Sequence, residues 1–224
     1  MALNSSKAAR LVFVLLFFSV LFSLRLIHLG ADPPKDLDPL SPGYYCDPGE
    51  YVRNARNKVV LGEWKTDDWG LDYMYIIPLT HYASYLVFLL FGVGIAQMNI
   101  VPAVFSCLTL VLVYFILKKT LNARFALLGA LLLGVNYPFT MFSRIANNIM
   151  PMLFFICLAI YLLMTAQTRK NLFFFLAGVS CFVSLTVKAT AFLILPSLVL
   201  GMLLHVFFQS GKDLKKTLAS LLFF

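Results

Sequence analysis

The feature that most constrains this chain is a series of long apolar runs separated by short polar segments. Most of the runs approach the roughly 20 residues that an α-helix needs to cross a bilayer. With 61% hydrophobic and 12% charged residues, the chain is also far less polar than a soluble globular domain. We therefore predict an all-α polytopic membrane protein, a helical bundle with spans at about 11–30, 99–117, 125–142, 149–164, 172–187 and 190–208.

The net charge of +8 comes mainly from short basic clusters between these runs. The positive-inside rule explains such clusters, so they indicate membrane topology and no nucleic-acid partner. We expect the clusters to be cytoplasmic, which makes residues 73–98 an interfacial or re-entrant helical hairpin. If 73–98 crosses the membrane instead, the topology is inverted. The clusters are Lys118/Lys119/Arg124, Arg169/Lys170 and Lys212/Lys215/Lys216.

The first and the last apolar run each support a further prediction. The first run has no small-residue cleavage pattern after it, so an uncleaved first span is favoured over a signal peptide. Arg25 and His28 lie near its outer end, where we expect their side chains to reach the lipid headgroups. A further apolar run starts near residue 217 and stops at Phe224, so we expect residues 1–224 to be the N-terminal part of one longer domain.

The polar segment between the first two spans, residues 31–98, carries nine of the ten acidic residues. Good helix formers occupy residues 50–61, and Asp47-Pro48 is a typical helix start, with Asp47 as a candidate N-cap. A chain that concentrates its carboxylates in this way has either a solvated loop or a site there. We interpret the loop as an outer-face site with interfacial helices.

Several short motifs occur in order along the chain. Each is weak alone, but the series is more specific. The motifs are Cys46-Asp47-Pro48-Gly49-Glu50-Tyr51, Asn54-Ala55-Arg56, Leu61-Gly62-Glu63-Trp64, Pro78-Leu79, Phe91-Gly92, Ser143-Arg144-Ile145-Ala146, and the set Gly178, Thr186, Lys188, Leu195 and Pro196. This series resembles the N-terminal half of GT-C-type membrane glycosyltransferases, in the family of protein O-mannosyltransferases and aminoarabinose transferases. The resemblance implies a GT-C-like bundle.

The resemblance also implies a reaction. A sugar would move from a polyprenyl-phosphate carrier to a hydroxyl or amine of a lipid, glycan or protein acceptor, at the extracytoplasmic face of the plasma (inner) membrane. Asp47 matches the family's acidic position and is the candidate base that takes the acceptor proton, although it could simply cap its helix. Glu50 could act as a second carboxylate or stabilise the first helical turn through the helix dipole.

The leaving phosphate needs cationic groups or a divalent metal. The candidates for substrate or phosphate binding are Tyr51, Arg56, Arg144 and Lys188. Each cation also has a structural explanation. The arginines of residues 50–61 could form ion pairs at helical spacing, as Arg53 could with Glu50. Arg144 and Lys188 could contact lipid headgroups.

Other polar residues have simpler explanations, and this sequence departs from the family at some positions. Many relatives carry an acid after the Ser-Arg-x-Ala turn, where this chain has Asn147 and Asn148, which we interpret as turn residues. Asp67 and Asp68 are interpreted as solvated loop acids, so no metal ligand and no certain cofactor is assigned. His81 is interpreted as an interfacial or hydrogen-bonded core group. The alternative functions are a transporter component, with Arg144 and Lys188 lining its path, and a non-catalytic membrane fragment.

Overall fold

The computed structural model describes residues 5–31, 47–64, 78–166, 170–193, 196–197 and 200–201. Asp67, Asp68, Cys46 and the Lys212 cluster lie outside them. The described residues contain helices and no β-strand, so the all-α prediction is confirmed. The helices are α1 (Ser5–Leu26), α2 (Asp47–Leu61), α3 (Pro78–Phe91), α4 (Ile95–Met98), α5 (Ile100–Thr120), α6 (Ala123–Val135), α7 (Tyr137–Ser143), α8 (Ile149–Thr165), α9 (Lys170–Val187) and a 3-10 helix (Ala189–Leu193).

Two helical stretches in the described residues are long and apolar enough to cross a membrane: Ala8–Leu26 and Ile95–Thr120, which joins α4 and α5. The bent pair α6 and α7 makes a third if it is taken as one span. Helices α3 and α8 and residues Leu172–Val187 are apolar but shorter.

Helix α5 lies at the centre of the bundle, against α1, α6 and α8. Phe18 of α1 packs edge-on against Tyr114 of α5, with 5.6 Å between the ring centroids. Small residues allow the close approaches: Ala126 and Ala130 are fully buried in this core. A methyl group on Gly134 would come within 2.9 Å of Leu21. Lipid chains are as apolar as these side chains, so close packing is the main source of stability here.

Helices α5 and α8 run in the same direction, which gives the bundle two different ends. Phe105 contacts Phe154 and Phe155 near the start of both helices, and Lys119 donates to Thr165 near their ends. Lys118 and Lys119 in the last turn of α5, and the start of α9 after α8, therefore lie at one end of the bundle, called the basic end. The opposite end, where α5 and α8 begin, is called the cleft end.

Within the predicted span 125–142 the chain bends by 66° between α6 and α7. Asn136 causes the break by starting a new helix. Its side chain accepts a hydrogen bond from the backbone N–H of Phe139 at 3.1 Å, and Pro138 occupies the first turn. This is a typical capped helix start.

The prediction that Arg25 reaches the lipid headgroups is wrong, because its side chain is fully buried. Its guanidinium donates to the carbonyl oxygens of Leu21 and Gly134, both at 2.7 Å, and lies 5.1 Å from the ring centroid of Phe139. Pro138, four residues after Gly134, has no N–H for the Gly134 carbonyl, and Arg25 and the Thr140 hydroxyl donate to it instead. The neighbouring His28 is exposed.

Candidate functional site

The candidate site is a small cleft at the cleft end of the bundle, where α2, α3, the start of α5 and the turn before α8 meet. Its cavity has a volume of about 10 Å³, which is close to the space that one water molecule requires. We call it the junction cleft. It is lined by Tyr51, Val52, Thr80, Ser84, Met98, Val101, Pro102, Ala146, Asn147 and Asn148.

One wall of the junction cleft is α2, which packs on the bundle through small apolar residues. Val52 and Ala55 are buried in a cluster with Phe88 of α3 and Ala146 of the turn before α8. Arg56, four residues after Val52, is exposed. Helix α2 is therefore amphipathic, and its apolar side fixes its position on the bundle.

The Leu61-Gly62-Glu63-Trp64 motif ends α2 and returns the chain to α3. Gly62 has φ +81°, a conformation that glycine adopts without the penalty of a side chain. Lys58 donates to the Gly62 carbonyl at 2.7 Å, and Asn54 donates to the Trp64 carbonyl at 2.9 Å. The Trp64 ring then packs on Tyr82 and Tyr85, with centroid distances of 5.2 and 5.1 Å. This motif therefore fastens α2 to α3.

The Ser143-Arg144-Ile145-Ala146 motif forms the turn on the other side of the junction cleft. Arg144 donates to the carbonyl oxygens of Leu24 at 2.8 Å and His28 at 3.0 Å, at the C-terminal end of α1. A cation is favourable there because unpaired carbonyls give a helix a partial negative charge at its C-terminus. The structure thus shows Arg144 bound to backbone carbonyls. This contact was not among the two roles considered from the sequence, which were phosphate binding and contact with lipid headgroups.

Asn99, which the sequence analysis missed, holds this turn from the α5 side. Its side chain is fully buried. It donates to the Leu29 carbonyl at 3.0 Å and accepts from the Ala146 N–H at 2.8 Å. One amide thus joins the segment after α1, the start of α5 and the turn before α8. Its position just before an apolar run suggested only a span boundary, and no sequence signal gave the two partners.

The two asparagines after this motif, Asn147 and Asn148, differ in the hydrogen bonds of their side chains. The Asn147 side chain accepts hydrogen bonds from the N–H groups of Ile149 and Met150 at 2.8 and 3.4 Å, and donates to the Phe142 and Ile145 carbonyls. It is a turn residue, as predicted. Asn148 is 1% exposed, and neither side-chain atom has a hydrogen-bond partner among the described residues.

The acidic candidates lie at the start of α2. The helix begins at Asp47, three residues before the predicted range 50–61. Tyr51, in the first turns of this helix, lines the junction cleft. The predicted ion pair between Glu50 and Arg53 is confirmed, with 3.4 Å between the Glu50 Oε1 and Arg53 Nη1 atoms. Both side chains are partly exposed, at 41% and 27%, so the pair contributes little stability.

The remaining cationic candidates are not brought into the junction cleft. Arg56 is exposed and is not among the residues that line the cleft. Lys188 follows α9 directly and lies at the cleft end, because Val187 packs with Met152 near the start of α8. The Lys188 side chain makes no hydrogen bond or ion pair with the part of the chain that is described.

His81 on α3 is fully buried, and its two ring nitrogens have no hydrogen-bond partner within the described ranges. Helix α3 is not among the helices long enough to span. Burial lowers the pKa of His81 to about 4, because a charged ring would lose its hydration. It is therefore a neutral core residue, although the expected hydrogen bond is not seen. The described residues hold no group of three His, Cys, Asp or Glu side chains that could bind a metal ion.

Comparison with known proteins connects this geometry to a family. An uncharacterized protein of Aquifex aeolicus (strain VF5) is 28% identical over 74% of this chain, and the chain spans about a third (34%) of that relative's length. No solved structure matches the chain. The family described as dolichyl-phosphate-mannose-protein mannosyltransferase matches residues 77–224, which include α3, the Ser143–Ala146 turn and Lys188 but not α2. A match over well more than half of the sequence shows that the chain belongs to this family of membrane proteins.

Proposed function

We infer that the chain is part of a membrane glycosyltransferase that moves a sugar from a polyprenyl-phosphate carrier to an acceptor hydroxyl or amine. The observation that carries this proposal is the packing of α2, through Val52 and Ala55, against Phe88 and Ala146. Phe88 and Ala146 belong to the residues that the family matches, whereas α2 precedes them. The helix that begins at Asp47 thus packs against residues that the family matches, beside the junction cleft.

In the proposed reaction, an acceptor oxygen or nitrogen attacks the anomeric carbon of the sugar. The bond from that carbon to the phosphate oxygen breaks, and its electron pair leaves with the polyprenyl phosphate. We assign Asp47 as the base that takes the proton of the acceptor. Its position at the start of α2 favours a carboxylate, because the N-terminus of a helix carries a partial positive charge.

The leaving phosphate gains negative charge, and Lys188 is the cation that we assign to it. It lies at the cleft end, and its ammonium group is not used by the described residues. Arg144 instead donates to two backbone carbonyls at the C-terminus of α1, and Arg56 is exposed and does not line the cleft. Because the guanidinium of Arg144 is held by backbone carbonyls, we prefer Lys188 as the phosphate-binding cation.

The orientation in the membrane follows from the two ends of the bundle. Lys118, Lys119 and Arg124 lie at the basic end, as does the start of α9 at Lys170. The positive-inside rule favours the cytoplasm for such an end. We therefore propose that the junction cleft faces the extracytoplasmic side of the membrane, where the donor and the acceptor would meet.

The transporter alternative required Arg144 and Lys188 to line a path through the bundle. The Arg144 guanidinium is instead held by the carbonyl oxygens of Leu24 and His28 at the surface end of α1. No observation on the described residues favours transport over transfer.

The test is sugar transfer from a radiolabelled polyprenyl-phosphate sugar in membranes that contain the full-length protein. We expect Asp47→Asn to lower the rate by about 100-fold or more, since general-base catalysis contributes 10²–10⁴-fold. Glu50→Gln is the matched control in the same helical turn, and it should change the rate less than threefold because Glu50 only pairs with an exposed arginine. Equal rates for wild type and Asp47→Asn would refute the assignment of the base, and no transfer by wild type with any sugar tried would refute the function.

A further inference from the structure

The Asn148 side chain is the least satisfied polar group of the junction cleft. It is 1% exposed, its amide nitrogen and oxygen have no partner among the residues described, and it lines the cavity. A buried amide without hydrogen bonds is costly, and native proteins rarely keep one without a water or a ligand to fill it. The position of Asn148 in the cleft indicates that something from outside the chain completes its hydrogen bonds.

The turn itself does not require the Asn148 side chain. Asn147 supplies the hydrogen bonds that start α8, through the N–H groups of Ile149 and Met150. Asn148 contributes its backbone carbonyl, which accepts from the Met152 N–H at 3.1 Å, and any residue type could provide that bond. The amide is therefore not explained by the local fold.

The cleft selects the kind of group that can enter it. The side chains that line it are uncharged, and four of them besides Asn148 are polar: Tyr51, Thr80, Ser84 and Asn147. An amide offers two donors and one acceptor oxygen, and a hydroxyl can both donate and accept. The volume of about 10 Å³ is sufficient for one hydroxyl group or one water molecule.

We propose that Asn148 binds a single hydroxyl group of an uncharged, sugar-like ligand, and that this hydroxyl replaces a water molecule in the junction cleft. The proposal rests on the proposed function for the identity of the ligand, since the hydroxyl would belong either to the transferred sugar or to the acceptor. Asn148 is then a specificity-determining residue. A site that hydrogen-bonds a hydroxyl discriminates against analogues that lack it.

The experiment compares wild type with Asn148→Leu in the full-length protein, reconstituted in lipid nanodiscs. Leucine has a similar size and removes both polar atoms. The probes are polyprenyl-phosphate mannose, its monodeoxy analogues and sugar-free polyprenyl phosphate. We expect Asn148→Leu to weaken binding of the mannose lipid about three- to tenfold, the effect of one hydrogen bond, and to leave the sugar-free lipid unchanged. One deoxy analogue, the one that lacks the recognised hydroxyl, should bind wild type as weakly as the mannose lipid binds Asn148→Leu. The affinity of this analogue should be the same for wild type and for Asn148→Leu.

A second arm addresses the acceptor. If donor binding is unchanged but Asn148→Leu raises the KM for the acceptor by a similar factor, the hydroxyl belongs to the acceptor and the proposal stands in that form. Unchanged donor binding together with an unchanged acceptor KM would overturn it. A wild-type protein that transfers no sugar, but whose mannose-lipid binding is weakened by Asn148→Leu, would refute the proposed function and leave the cleft assignment in place. A wild type that neither transfers sugar nor binds these lipids would overturn both.

The thermal stability of the ligand-free protein separates a ligand contact from a structural role. We expect Asn148→Leu to keep or raise the Tm, because it removes two buried polar atoms that lack partners. Asn147→Ala is the matched control at the adjacent position, and it should lower the Tm because it removes the side-chain acceptor for the first N–H groups of α8. A fall in Tm for Asn148→Leu as large as that for Asn147→Ala would show a structural role and overturn the proposal.

Discussion

Replacing Asn99 should separate the elements that form the junction cleft. Asn99→Leu removes the hydrogen bonds to the Leu29 carbonyl and from the Ala146 N–H. Two hydrogen bonds contribute about 1–3 kcal/mol together, and each buried backbone group left without a partner costs about 1–3 kcal/mol. Because the losses overlap and the chain relaxes, we expect the free energy of unfolding to fall by about 2–4 kcal/mol.

The assay is equilibrium unfolding of the purified protein in mixed micelles, followed by tryptophan fluorescence. Trp64 packs against Tyr82 and Tyr85 at the junction, so it reports the loss of this contact. Gln97→Ala is the control on the same segment, since Gln97 makes one exposed hydrogen bond to the Phe91 carbonyl at 3.3 Å. It should cost less than about 0.5 kcal/mol. A loss for Asn99→Leu no greater than that for Gln97→Ala would refute the role given to Asn99.

Two further substitutions test other features of α1. Arg25→Met should keep the free energy of unfolding within about 1 kcal/mol of wild type, because a buried charge can often be replaced by an apolar side chain of similar size. Arg25→Ala should lower it by about 2–4 kcal/mol, because it leaves a cavity. Equal losses for the two variants in the same unfolding assay would contradict this. His28 has φ +52°, so His28→Gly should raise the free energy of unfolding by about 0.5–1 kcal/mol by relieving backbone strain. No change in the midpoint of unfolding relative to His28→Ala would show that the strain is absent.

Residue patterns in the sequence were enough to predict the helical bundle. Apolar runs, basic clusters and helix start signals depend on residues close together in the chain, so helices such as α5 and α8 follow from them directly. The same holds for the Glu50–Arg53 pair, whose spacing of three residues brings the side chains together on any helix. Local signals of this kind need no knowledge of the tertiary structure.

The features that could not be predicted depend on partners that are distant in the sequence. Arg25 is buried because the Gly134 carbonyl, 109 residues away, accepts its hydrogen bond at the bend after α6. Arg144 binds the end of α1 across a separation of 116–120 residues. Asn147 and Asn148 are the same residue type side by side, and only the tertiary structure shows that one is satisfied and the other is not. The composition of the turn could not distinguish them.

The contacts around the turn before α8 explain why Asn148 is placed to select a ligand. Arg144 fixes the turn to α1, Asn99 fixes it to α5, and Ala146 packs against α2 and α3. These contacts involve no ligand, so the junction cleft is formed before binding. A hydroxyl that enters it loses little free energy to ordering of the protein, and discrimination then depends on the hydrogen bonds of Asn148. Substitutions at Asn99 should therefore weaken binding of all sugars together by deforming the cleft, whereas Asn148→Leu should weaken only ligands that carry the recognised hydroxyl.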